Sequence, residues 1–530
     1  MATGQDDIAR SHARLSARQQ AQSAFGPALE SMATALRLAP GVDALWAQFS
    51  ELIRFFNFRH PVDDWLRQLL ARALEHPAVD PGNLVRPISS LALSRPAGEA
   101  LRDPLLLRLL EDALIRDAAL EALLVDARRA ALEGRAPSLP LASLAAIAHQ
   151  CFNSEYLFDE SGDETARLQS LQPASPQDFA LYACYRPLHM LPDAENVAAT
   201  LARTPLAALA RRQILEPLEE RRLRETLPRS TVAAGSASPA VQAQYEEHPY
   251  PRWLRTQTRF DAASPAELLR ELFPHAALGG LPETPPRILL AGCGTGQNAI
   301  ACALRFRGAR VLAVDLSVAS LGYAMRKTRE LGLASIEYRQ ADLLVAGAIP
   351  GRFDLIEASG VLHHLADPFA GWRALAAQLE PGGLMRVGLY SRAGRRNVAR
   401  ARELIAAEGF AATAEGIRRC RAAIRARAAD PLLASIARNE DFFSMSGCRD
   451  LLFHVQESTF ELPQVAEMIA RLDLVFLGFE FADGGATAAA YRARFPEDAA
   501  MTGLANWHRF EQERPDSFAR MYQFWLRAPR

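Results

Sequence analysis

Between residues 287 and 390, short apolar runs rich in β-branched residues alternate with helical segments. No other feature of this 530-residue chain restricts its fold as strongly. RILLAG (287–292), ARVLAVDLS (309–317), IEYRQADL (336–343), FDLIEASG (353–360) and GLMRVGLY (383–390) read as strands. DLVFLGFEF (473–481) reads as a late strand and ARMYQFWLR (519–527) as a final one. Strands alternating with helices imply a parallel sheet wound by right-handed crossovers, an α/β fold. The Arg-rich stretch at about 391–460 is mostly helical in pattern and reads as an insertion before the sheet resumes.

Residues 1–228 follow a different rule. Ala and Leu recur at helical spacing and Pro breaks the runs. Examples are SAFGPALESMATALRLAP (23–40), DDWLRQLLARALEHP (63–77) and DPLLLRLLEDALIRDAALEALLVDARRAALEG (103–134). The ends ALRLAP and RALEHP stand 37 positions apart, near the roughly 34-residue period of tetratricopeptide repeats. An irregular helical domain accounts for the same pattern. STVAAGSASPA (230–240) has no residues to build a core, so 229–243 reads as a linker. The chain thus divides into a helical domain at 1–228, the linker, and an α/β domain at 244–530.

Composition removes several classes of function. The 49% hydrophobic and 23% charged content is that of a globular domain. A formal net charge of −1 shows no basic excess for nucleic acid. Lys327 is the single lysine and follows no glycine loop, which argues against Schiff-base catalysis and a phosphate-loop lysine. Cys151, Cys184, Cys293, Cys302, Cys420 and Cys448 include no C-x-x-C pair, so no metal site is expected. They are too sparse for a disulfide scaffold. The polar start MATGQDDIARSHARL lacks a signal-peptide core, and no apolar run reaches membrane-spanning length. A cytoplasmic protein without membrane or nucleic-acid partners is expected.

The chemistry concentrates at strand ends. The first strand runs into Ala291-Gly292-Cys293-Gly294-Thr295-Gly296-Gln297, and a helix begins at QNAIACALRF (297–306). Glycines permit a tight turn and close approach of backbone to ligand. The helix start offers free N–H groups and a positive dipole end. Asp315 closes the second strand 19 positions after Gly296, where an acid can hold ribose hydroxyls. After the third strand, Asp342 could accept from an adenine amino group while Leu343 covers the ring. The dinucleotide fingerprint G-x-G-x-x-G is not met, because position 297 is Gln.

The pattern G-x-G-x-G with Asp315, DLIEASGVLHHL and LEPGG resembles class I S-adenosylmethionine-dependent methyltransferases. The resemblance implies a Rossmann-like methyltransferase sheet and S-adenosyl-L-methionine as cofactor. It implies that Gly292, Gly294 and Gly296 meet the methionine part, that Asp315 holds the ribose, and that Leu316, Asp342 and Leu343 surround adenine. Many members carry an acid just before the first glycine, whereas this chain has Ala291; the helix N-terminus and a nearby basic side chain are expected to compensate. QYEEHPYPRW (244–253), CRDLLFHVQE (448–457) and HQCFNSEYLF (149–158) resemble segments of bacterial proteins that join a tetratricopeptide-like helical region to such a domain.

Methyl transfer from a sulfonium needs no metal, and needs a base only for a protonated acceptor. His363 and His364 beyond the fourth strand, and His454 in the insertion, are the candidate catalytic groups; lining or packing is the plainer role. Tyr245, Tyr250 and Trp253 could form a lid, and Glu457 could reach the substrate. Arg395, Arg396, Arg400 and Arg402 read as a solvated helix face. The acceptor is a protein side chain or a small metabolite, with the helical region as a surface for a protein partner. A non-catalytic cofactor sensor or scaffold and a nicotinamide-dependent oxidoreductase are the rival readings.

Overall fold

The run at 287–291 forms the strand against which the rest of the sheet is ordered. A computed structural model of the protein describes residues 2–135, 139–228, 239–276, 285–345, 347–481, 485–518 and 521–530. By their contacts the residues fall into two units. One holds Met1–Leu218, Arg252–Phe260 and Glu440–Gly447; the other holds Glu219–Pro251, Asp261–Asn439 and Cys448–Arg530. The boundary expected at 228 therefore falls inside the second unit. The expected linker lies outside the described residues as far as 238. From Pro239 the chain is helical to Glu247, with proline at the first helical position, where its missing N–H costs nothing.

Among its described residues the first unit is all helix. Trp46, Phe49, Leu70, Leu110 and Ile147 are among the side chains of its continuous core. The run at 103–134 forms two helices, Pro104–Asp112 and Ala118–Leu132. Asp117 stops continuity, because its carboxylate accepts the N–H groups of Ala119 and Leu120 and starts a new helix. The similar ends ALRLAP and RALEHP close the helices Phe25–Leu38 and Asp64–Glu75. The former packs on Ala2–Ala21 and Asp43–Ile53, the latter on Pro104–Asp112, so the two ends have different neighbours.

In the second unit seven strands form one sheet. They are β1 (Arg287–Ala291), β2 (Arg310–Asp315), β3 (Ile336–Gln340), β4 (Phe353–Ser359), β5 (Leu379–Leu389), β6 (Val475–Phe479) and β7 (Tyr522–Arg527). Their order is β3-β2-β1-β4-β5-β7-β6. The first five pair in parallel, as expected. β7 lies antiparallel between β5 and β6, so the sheet is mixed rather than parallel throughout. The apolar pattern marks a segment as a strand but carries no information on its direction. Both faces are covered. Leu289, Val314, Ile356 and Val387 point into one core, and Ile288, Leu290, Ala313, Leu355 and Leu384 into the other. That two-sided burial explains why these strands read as continuous apolar runs.

Two backbone bonds join the ends of the stretch read as an insertion. The Arg392 N–H donates to the Phe460 carbonyl and the Phe460 N–H to the Tyr390 carbonyl, both at 2.9 Å. This closes the insertion at its base, at the carboxyl end of β5. Among the described residues no helix is long and apolar enough to cross a membrane.

Candidate active site

At the carboxyl ends of β1 to β4 the chain encloses a cavity of about 300 Å³, the size of a small-molecule site. Beyond Ala291 the N–H groups of Gly292 and Cys293 both donate to the Val314 carbonyl at 2.9 Å, bending the chain across the end of β2. Asp315 then meets the turn directly. One of its oxygens accepts the Gly294 N–H at 2.7 Å and the other the Ser317 N–H at 2.9 Å. Burial pushes this carboxyl up, against the pull of those amides. The glycine turn and the acid 19 positions downstream thus form one wall.

Gly292, Gly294, Asp315, Leu316, Asp342 and Leu343 line the cavity, as do Gln297 and Asn298 at the helix start. A Cβ on Gly292 would stand 2.5 Å from Val361 Cγ2, and one on Gly294 2.4 Å from the Tyr250 carbonyl oxygen. Gly296 is not among the lining residues. It caps the helix Gln297–Arg305 at φ 84° and packs where a Cβ would meet Ala324 and the Tyr338 hydroxyl. In this structure it starts the helix. Asp342 is 4% exposed, and its Oδ1 accepts the Leu344 N–H at 2.9 Å.

Tyr245, Tyr250 and Pro251 line the opposite wall with Val241. They belong to a pinned roof. Glu246 accepts the Val318 and Ala319 N–H groups at 2.6 and 3.0 Å, placing a carboxylate on the N-terminus of the helix Val318–Glu330. Ser317 Oγ donates to the Tyr245 carbonyl at 2.9 Å, and Thr295 Oγ1 to the Pro251 carbonyl at 2.6 Å. Trp253 belongs to Arg252–Phe260, which groups with the helical unit, and is not among the lining residues.

The insertion returns to the end of β4 through residues 454–458. The Ser458 N–H donates to the His363 carbonyl at 2.8 Å, and Gln456 Nε2 to the His364 carbonyl at 2.9 Å. His364 Nδ1 faces the Gln456 carbonyl at 3.0 Å. A carbonyl only accepts, so Nδ1 carries the proton and Nε2 keeps a lone pair. His454 has the reverse arrangement. Its Nδ1 accepts the Gln456 N–H at 3.0 Å, so the neutral ring carries its proton on Nε2, 3.0 Å from the Tyr245 hydroxyl. That hydroxyl donates to Asp450 Oδ1 at 2.7 Å. The imidazoles of His364 and His454 stack at 3.8 Å, and that of His363 stacks on Tyr390 at 3.7 Å.

Of the three histidines, His364 lines the cavity, whereas His363 and His454 do not. Glu457 is held between Arg395 and Arg402 at 2.5 and 2.9 Å, with its side chain 2% exposed. Its expected reach toward substrate is corrected to an internal ion pair, and two arginines expected at the surface are its partners. Asp450, Tyr390, Asn298 and Val241 also line the cavity. Sequence reasoning singled out none of them, although Asp450 lies within the motif CRDLLFHVQE.

Burial dominates the electrostatics here. It pushes the His364 imidazole down to about 4, with Arg395 and Arg402 adding to the depression while the Gln456 carbonyl and Glu457 oppose it. His454 falls to about 2 for the same first reason, and Asp450 rises to about 6. A histidine depressed in the fold adds stability that is complete above its unfolded pKa near 6.5 and is lost as pH falls toward 4. The raised Asp450 acts in the opposite sense, its contribution being lost as pH rises through about 6. Comparison with His364→Asn, in which Asp450 is retained, isolates the histidine. In urea unfolding, the wild type should lose about 3 kcal/mol more than the variant between pH 7 and pH 4. Equal losses would show that His364 is not held neutral.

Residues 288–383, from β1 into the first half of β5, match the family model of a methyltransferase domain. The chain carries a class I S-adenosylmethionine-dependent methyltransferase domain. The cofactor of this methyltransferase domain is S-adenosyl-L-methionine. An uncharacterised protein of Synechococcus sp. is 32% identical over 261 residues, covering 47% of this chain and 61% of that protein. The ubiquinone biosynthesis O-methyltransferase of Azotobacter vinelandii is 33% identical over 135 residues, covering 25% of this chain and 55% of the enzyme. The chain thus spans about three-fifths or less of the length of these curated relatives. The structure of PKMT2 from Rickettsia typhi in complex with AdoHcy is 18% identical, with a TM-score of 0.38, covering 52% of this chain and 54% of that one.

The methyltransferase domain suits its cofactor in one decisive respect. Asp315, Asp342 and Asp450 are the charged side chains among the described lining residues, with no Lys or Arg. S-adenosylmethionine carries a sulfonium, an ammonium and one carboxylate, a net positive charge. An acidic chamber attracts such a ligand and repels a pyrophosphate.

Proposed function

We propose that the protein is a methyltransferase that moves the methyl group of S-adenosyl-L-methionine to a protein side chain or a small metabolite. The observation that carries this reading is the acidic cavity bounded by Gly292, Gly294, Asp315 and Asp342, with no Lys or Arg among its described lining residues. Gly292 and Gly294 let the backbone approach the methionine part, Asp315 takes the ribose hydroxyls, and Leu316, Asp342 and Leu343 enclose adenine. The bound cofactor supplies a methyl group already made electrophilic by its sulfonium. The protein adds orientation and exclusion of water, for which Val241, Tyr245, Tyr250 and Pro251 form the roof. Where the acceptor arrives protonated, His364 Nε2 has the lone pair to take the proton. His454 Nε2 already carries one. The helical unit supports a protein acceptor, and the relatives named O-methyltransferases support an oxygen nucleophile.

Asp315→Ala should weaken S-adenosylhomocysteine binding by about 1–3 kcal/mol, roughly 5- to 150-fold, in calorimetry, because a charge-assisted hydrogen bond is lost. NAD should give no heat. A folded variant with unaltered affinity, or tight NAD binding by the wild type, would sink the reading. Cofactor binding without methyl transfer to any component of a cell extract would favour a sensor. Extract incubated with methyl-labelled cofactor then shows whether label enters protein or small molecules.

A further inference from the structure

Resting on the reading above, we infer that Asp450, delivered by the insertion, receives the α-ammonium group of the cofactor's amino-acid moiety, with Tyr245 as its support. The cavity has three carboxylates. Two stand at the ends of β2 and β3, where the nucleoside is read. The third is Asp450, 3% exposed and supplied from outside the sheet. A buried carboxylate is costly unless a cation or several hydrogen bonds accompany it. Asp450 Oδ1 accepts from a neutral phenol, Tyr245 Oη, at 2.7 Å. Its other oxygen takes no hydrogen bond among the described residues. The cations of the neighbourhood, Arg395 and Arg402, are both bonded to Glu457, at 2.5 and 2.9 Å. Arg395 and Arg402 act on Asp450 through space, but among the described residues neither is bonded to it. Its second oxygen therefore faces the cavity without a hydrogen-bonded cation, and the ligand carries an ammonium group to take that place.

Position agrees with charge. Tyr245 lies on the helix Pro239–Glu247, and the residues that follow close over the glycine turn, the Tyr250 carbonyl accepting from the Thr295 N–H at 3.3 Å. Asp450 is thus tied to the roof over the turn. The end of β1 itself offers no acid, since position 291 is alanine. The compensation expected there from a basic side chain is replaced by an acidic one brought from 159 positions downstream.

A divalent metal is the rival cation, because donor atoms of His364, Asp450 and His454 lie within 4.8 Å of one another. Hydrogen-bond accounting disfavours it. His454 Nδ1 is occupied by the Gln456 N–H and its Nε2 proton points at Tyr245 Oη. A nitrogen that carries a proton cannot ligate. One free imidazole nitrogen and one carboxylate remain, fewer donors than a protein metal site requires.

The test uses the full-length protein and two ligands, S-adenosylhomocysteine, which has the ammonium, and 5′-methylthioadenosine, which lacks the amino-acid part. In calorimetry Asp450→Asn should lose about 10- to 100-fold in affinity for the first and keep the second within about twofold. Tyr245→Phe should show a smaller loss with the same selectivity. Unchanged S-adenosylhomocysteine affinity, or equal loss for both ligands, would overturn the assignment. So would a zinc-binding heat in the wild type that Asp450→Asn abolishes. Failure of the wild type to bind either ligand would instead overturn the reading on which the assignment rests.

Discussion

Gly294→Ala is expected to lower affinity for S-adenosylhomocysteine by about 30- to 100-fold while leaving the sheet folded. Two costs act together. The residue sits at φ 51°, where a side chain is strained. Its added Cβ would also stand 2.4 Å from the Tyr250 carbonyl oxygen, which is backbone and cannot rotate away. The 250–251 segment must therefore lift, and with it the wall that Tyr250 and Pro251 give the cavity. Gly409→Ala separates strain from collision. Gly409 has φ 67°, but a Cβ there meets nothing within 4 Å. That variant should cost about 1 kcal/mol of stability and leave affinity unchanged. Equal ligand affinity in the two variants would show that the roof does not bear on the site.

Arg386→Met should destabilise the α/β unit by about 3–5 kcal/mol in denaturant unfolding, a large part of a typical domain's margin. Arg386 stands on β5 and joins the strands on either side. Its Nε donates to Glu480 at 2.8 Å and its Nη2 to Gln523 on β7 at 3.1 Å, while Nη1 lies 3.4 Å from Glu357 on β4. Trp525 Nε1 of β7 donates to the same Glu480 oxygen at 3.0 Å. Removing the guanidinium takes away the cation bonded to two carboxylates, their side chains 6% and 25% exposed. Adding Glu480→Gln to Arg386→Met should recover part of the loss. A single variant within about 1 kcal/mol of wild type would show that the network is not a structural requirement.

The sequence revealed most where chemistry and periodicity are local. β1, β2, β4 and β5 were legible because both faces of each strand are buried, which leaves nearly unbroken apolar runs. That the glycine turn and Asp315 share one end of the sheet was legible because both stand at ends of adjacent parallel strands, where ligand groups collect; the bond between Gly294 and Asp315 was not. The rest depended on contacts with no local signature. Tyr245 and Asp450 are 205 positions apart, so neither residue announces the other. Glu457 and the arginines look like surface charges in a helical pattern, and their mutual burial is a tertiary fact. Trp253 reads as one aromatic cluster with Tyr245 and Tyr250, but the chain changes unit at Pro251–Arg252. The antiparallel entry of β7 was hidden because direction leaves no trace in an apolar pattern.

The acidic walls also bear on what happens after each turnover. A ligand that enters with net charge +1 and leaves as a neutral thioether is gripped more firmly on arrival than on departure. Three aspartates, with no Lys or Arg among the described lining residues, therefore favour discharge of the spent form. Added salt, by screening that difference, should narrow the preference for fresh over used ligand.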